Sequence, residues 1–93
     1  MNKHEIRNEG DALVYLTDCT LATVETLAMR KTPPKAELSR QMSMAEHAIS
    51  WIYSCGLNYK GSRIEDVKAA GGINKWVEQM QAKREKSTCF LGS

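Results

Sequence analysis

Three groups of residues in this chain have side chains that could do chemistry. The first is Ser43, His47 and Ser50, where each serine lies about one helical turn from the histidine. A serine beside a histidine can act as a nucleophile with its base. A working pair also needs an orienting acid and an oxyanion hole, and the sequence places neither. With Ser39, Ser54 and Glu46 these residues read instead as the solvated face of a helix, and the expectation is that the chain is not an enzyme. The second group is His4, His47, Cys19, Cys55 and Cys89, the histidines and cysteines of the chain. They are scattered, with no close pair of the Cys-x-x-Cys kind that a zinc site uses. No metal and no other cofactor is expected. The cysteines fit small hydrophobic positions.

The third group is basic. Lys60, Arg63, Lys68, Lys75 and Lys83 fall in or around a short helix, a Gly-Gly turn and a second helix, the outline of a helix-turn-helix. In that reading Lys75 and Lys83 face the groove, and Lys60, Arg63 and Lys68 touch phosphates. Two features weigh against it. Trp76, Val77, Glu78 and Met80 occupy the early turns, where polar base-reading residues are wanted. The charge of the region is also modest: residues 57–93 carry seven basic and four acidic groups. Binding to nucleic acid is therefore the alternative, not the first expectation.

The elements that position these groups are helical. Helix 1 is expected over 11–31, with Asp11 as N-cap and Arg30 and Lys31 at the C-terminal end of the dipole. Leu13, Leu16, Thr17, Thr20, Val24 and Leu27 form its core face, widened by Val14, Leu21 and Ala28. Thr17, Thr20, Thr23 and Thr26 are poor helix formers, so packing must hold this helix. Thr32-Pro33-Pro34 breaks the chain, with Thr32 as N-cap of helix 2 and Pro33 at its first position. Helix 2 spans 33–55 on a stripe of Leu38, Met42, Ala45, Ile49 and Ile52. Gly56-Leu57 has the pattern of a Schellman stop. Ser62-x-x-Glu65 is a capping box for helix 3, 63–70. Helix 4 follows over 74–86 with Asn74 as N-cap, and Trp76 lies in the middle of its apolar stripe. Trp51, next to Met44, lies at the edge of the stripe of helix 2 and is expected to be accessible. The N-terminal arm 1–9 and the tail 87–93 flank this core, and the apolar run Cys89-Phe90-Leu91 is expected to fold back on it.

Helix 1 carries a second apolar row. Tyr15, Ala22 and Met29 recur at heptad spacing on the side away from Leu13, beside an acidic stripe that includes Asp18 and Glu25. A helix apolar on two sides is either central in a bundle or in contact with another chain. Four helices in 93 residues do not easily surround one of their number. Tyr15, Asp18, Ala22, Glu25 and Met29 are therefore the expected partner-binding residues, facing another protein or a second copy of the chain.

Composition agrees. Of the 93 residues, 42% are hydrophobic and 26% charged, an ordinary globular balance for one domain. The odd number of cysteines, three, argues against a disulfide framework, and no apolar run approaches a bilayer span, so a reduced cytoplasmic protein without membrane contact is expected. The fold class is all-α: a small helical bundle built on a long antiparallel hairpin of helices 1 and 2, with two shorter helices across it. The expected function is a non-enzymatic protein–protein interaction module, an inhibitor, adaptor or regulatory subunit. Its size and composition have the general character of phage and mobile-element accessory proteins.

Overall fold

Asn8 starts the first helix. Its side chain accepts a hydrogen bond from the Asp11 amide at 2.9 Å, while the Asp11 carboxylate accepts from the Arg7 amide at 3.0 Å. The first bond satisfies a donor that an α-helix leaves open at its start, and the second ties the residue before the cap to the first turn. The computed structural model describes residues 6–92, with side chains as far as Arg84. In it α1 spans Glu9–Ala28, α2 Lys35–Cys55, α3 Arg63–Ala70 and α4 Ile73–Gly92. The all-α bundle on a long α1–α2 hairpin is as expected, and the boundaries of three helices differ.

The first helix begins two residues before Asp11, because Asn8 outcompetes Asp11 as the cap, and it ends at Ala28 rather than Lys31. Thr17, Thr20, Thr23 and Thr26 each donate a side-chain hydroxyl to the carbonyl four residues back, at 2.7 to 3.2 Å. That local bond lets a buried threonine such as Thr17 sit in the core with its hydroxyl satisfied. At the other end, Gln81 of α4 donates to the Ala28 carbonyl at 3.3 Å, occupying one of the acceptors the helix end leaves open.

The second helix begins at Lys35, with Pro34 rather than Thr32 in the cap position and no side-chain cap. Pro34 is held extended at φ −75° and ψ 97°, and its carbonyl accepts from the Leu38 amide at 2.8 Å. Two consecutive prolines keep Pro33 out of the helical region, since a proline restricts the residue before it. The stop at Gly56 is as expected: φ is 64°, the Leu57 amide bonds the Ile52 carbonyl, and the Gly56 amide bonds that of Tyr53. These are the two bonds of a Schellman motif. Leu57 then packs on the core and closes against Gly10, where a Cβ would come within 2.8 Å of its side chain.

The third difference is α4. It starts at Ile73, with the Gly72 carbonyl accepting from Trp76, and its backbone continues helically past 86 to Gly92. Asn74 lies inside it. The segment 87–92 thus continues the helix instead of turning back. The side chains of Cys89, Phe90 and Leu91 lie outside the described residues, as does most of the arm 1–9.

The core lies between the hairpin and the α3–α4 pair. Leu21, Val24, Thr17, Ile52 and Ile64 are its largest fully buried side chains, and Trp76 and Val77 close it from α4. The molecule measures 49 × 30 × 20 Å. A thickness of 20 Å is about two helix diameters. The α3–α4 pair packs on the hairpin, chiefly on α1.

Candidate interaction surfaces

Arg63 opens α3 and reaches α1. Its amide donates to Asp18 Oδ1 at 2.6 Å, its Nη1 lies 3.4 Å from Asp18 Oδ2, and its Nε lies 3.3 Å from Glu25 Oε1. The other early amides of α3 are also met: Ile64 donates to Ser62 Oγ at 3.2 Å and Glu65 to the Ser62 carbonyl at 3.1 Å. The Glu65 side chain reaches one residue beyond the expected box, accepting from the Gly61 amide at 2.9 Å.

This geometry divides the expected partner row on α1. Asp18 is buried and Glu25 is half-buried, and both turn inward to hold Arg63. Tyr15 and Ala22 are half-buried, and Met29 is exposed at the end of the helix. Tyr15 interacts with Cys19 one turn on, and that hydrogen bond raises the phenol above its ordinary value. Of the basic residues proposed for nucleic acid, Lys60, Lys68, Lys75 and Lys83 are exposed, whereas the Arg63 guanidinium is held by two carboxylates.

Lys68 stands over two tyrosines. Its Nζ donates to Tyr59 Oη at 3.0 Å and lies 5.9 Å and 5.8 Å from the Tyr53 and Tyr59 ring centres, which are 5.5 Å apart. The hydrogen bond to Tyr59 raises the Lys68 ammonium above its ordinary value, and burial raises the Tyr53 phenol. Beside this cluster a shallow depression combines Lys60 and Lys68 with Glu65 and Asp66, so its charges are of mixed sign.

The largest exposed apolar side chains on the helices are elsewhere. Leu16 is 61% exposed, Met44 54% and Trp51 66%. Leu16 was expected in the core. The buried arc of α1 is centred near Leu21 and Ala28, about 120° to 140° round the helix from Leu16. On α2, Met44 and Trp51 lie about 120° to 140° round from Leu38. Asp18 and Glu25 mark the side of α1 turned toward α3 and α4. Glu46, Ser50 and Tyr53, which border the groove with Val67 and Ile73, mark that side of α2. Leu16, Met44 and Trp51 all lie on the opposite flanks. In an antiparallel pair those flanks form one surface, the back of the hairpin. Leu16 is 12 residues before the end of α1 and Ala48 is 13 after the start of α2, so the two come level in an antiparallel pair whose joined ends are level. On that register Leu16 falls between Met44 and Trp51, roughly 5 Å along the axis from each.

The sequence signal for half of this surface was the seven-residue spacing of Met44 and Trp51 off the core stripe. Joining Leu16 to them required knowing which side of the hairpin α3 and α4 cover. Among the described residues no group of three or more histidine, cysteine or acidic side chains is placed to hold a metal ion, and no helix is long and apolar enough to cross a membrane. No protein-family model matches the chain, and no curated protein and no solved structure matches it.

Proposed function

We propose that the chain is a non-enzymatic protein–protein interaction module, serving as an inhibitor, adaptor or regulatory subunit. The observation that supports this reading is the back of the α1–α2 hairpin, where Leu16, Met44 and Trp51 are each more than half exposed on one surface. Single exposed apolar residues are ordinary. A contiguous patch that includes a tryptophan is characteristic of a contact site, where aromatic residues and Met are enriched. The row of Tyr15, Ala22 and Met29 on the other flank of α1 is a secondary contact in this reading.

The test compares the wild-type chain with Trp51→Asp in affinity capture from the native host's lysate, followed by calorimetric titration of any purified partner. A partner that binds the wild type and loses at least about 30-fold in affinity to Trp51→Asp, the loss expected of a hot spot, supports the module. Unchanged binding by Trp51→Asp and by Leu16→Glu overturns it. The nucleic-acid alternative has a separate measurement, an anisotropy titration with mixed genomic fragments at two salt concentrations. Weak binding that disappears at physiological salt is the expected result. Tight binding that survives salt and is lost in Lys75→Ala would move the function to a DNA-binding regulator.

A further inference from the structure

We propose that the back of the α1–α2 hairpin is the interface of a symmetric dimer, in which a second copy of this chain lays the same surface against the first. The proposal rests on the reading of that surface as an interaction site and names its occupant.

Area is the first argument. The 20 residues of α1 make it about 30 Å long. Two helices with axes 8–10 Å apart present a surface about 20 Å wide. Its projected area, about 600 Å² before side-chain relief is counted, approaches the ~800 Å² per partner of a standard stable interface. Trp51 alone, at 66% exposure, brings on the order of 150 Å² of removable surface.

Charge is the second, and it leaves a copy of the same chain free to dock. A two-fold interface sets a patch against itself, so any net charge in its centre repels its own image. The carboxylates of the middle turns are all turned away: Asp18 and Glu25 to Arg63, and Glu46 to the groove beside Ile73. Glu37 and Arg40, at the closed end of the hairpin, form an ion pair with each other. The centre around Leu16, Thr20, Met44, Ala48 and Trp51 is uncharged, with His47 at its rim. A centre without charge carries no penalty on self-association. Under a two-fold axis lying in the interface, α1 meets the second copy's α2 when the axis runs along the helices and its α1 when the axis runs across them; the facing helices are antiparallel in both cases, the favourable order for their dipoles.

The experiment is size-exclusion chromatography with light scattering on the full chain, from about 1 to 100 µM, a range that brackets a micromolar Kd. It is paired with quenching of Trp51 fluorescence in Trp76→Phe. The expected result is twice the chain mass at high concentration, with Trp51 shielded there and exposed on dilution. Leu16→Glu and Trp51→Asp should each raise the dimer Kd at least about 30-fold while leaving the circular-dichroism spectrum unchanged. A monomer at every concentration overturns the proposal. So does a dimer that neither substitution weakens, since it would use another surface. A monomer whose Trp51 is shielded until residues 87–93 are removed would put the chain's own C-terminal segment on this face, and also overturns it. Capture of a host partner separates the two readings. If the chain is monomeric but Trp51→Asp loses that partner, only the dimer fails. If it is monomeric and capture is unchanged, the interaction module fails as well.

Discussion

Asp18 and Arg63, separated by 45 residues, are joined twice: the Arg63 amide donates to one carboxylate oxygen at 2.6 Å, and its guanidinium lies 3.4 Å from the other. A side chain of the first helix thus caps the third. The cap ties the loop 56–62 to α1 and fixes where α3 starts across the hairpin. Asp18 is buried, so its charge needs these partners.

Removing the carboxylate should therefore cost more than removing the guanidinium. Asp18→Ala leaves the Arg63 amide without its acceptor and is expected to destabilise by about 1–3 kcal/mol. Arg63→Ala keeps the amide bond and should cost less, about 1 kcal/mol or under, because its guanidinium is partly exposed. Thermal melts of the two variants and the double variant measure the coupling. At about 4–8 °C per kcal/mol for a chain of this size, the difference is readable. Equal melting temperatures for the two single variants would show that the cap carries no weight.

The two tryptophans should report different environments. Trp76 is 7% exposed and Trp51 is 66% exposed. In single-tryptophan variants under dilute, monomeric conditions, a neutral quencher should reach Trp51 several-fold more readily than Trp76. Equal protection under those conditions contradicts the helical register of α2 described above.

The corner between α1 and α2 should be stabilised by its prolines through the unfolded chain. Pro34 sits at φ −75°, a value proline already favours, and a proline amide has no hydrogen bond to lose. Replacing Pro33 and Pro34 with Ala should cost about 0.4–1 kcal/mol each and lower the melting temperature, with the helices unchanged. A double variant that melts as the wild type does would show that packing alone sets the corner.

Alkali should act through Tyr53 and Lys68. Both have folded values raised above their ordinary ones, Tyr53 by burial and Lys68 by its hydrogen bond to Tyr59. A group with a raised folded value contributes stability below its ordinary value, and that contribution is lost as pH rises through the folded value. Stability should therefore fall as pH climbs past 10.0 and 10.5, the ordinary values of the two groups. Tyr53→Phe removes one titrating group, so its stability should decline less steeply over that range than the wild type's. Denaturant melts at stepped alkaline pH measure this, and identical slopes for the two proteins would refute it.

Much of this architecture was legible in the sequence because its signals are local. The Leu38–Ile52 stripe, the Gly56-Leu57 stop, the glycines ending α3 and the burial of Trp76 depend on residues within a turn or two of one another. The period of an α-helix and the left-handed preference of glycine are enough to read them. Helix starts were less legible. Asn8 against Asp11 is a choice between neighbouring caps of similar propensity, and Pro34 displaces the better cap Thr32 because a proline keeps the residue before it out of the helix.

What only the tertiary structure decided is which flank of each helix faces inward. Leu16 and Asp18 differ by two residues, and hydropathy alone puts the leucine inside and the aspartate outside. The structure does the reverse: Leu16 is 61% exposed and Asp18 is 7% exposed. The physical reason is packing: Leu21, Val24 and Ala28 set the buried arc of α1, and that arc leaves Leu16 outside it. Asp18 falls on the edge where α3 docks, and the Arg63 amide and guanidinium supply the partners its burial needs. The partner of a buried charge lies 45 residues away in the chain, where no periodicity can point to it.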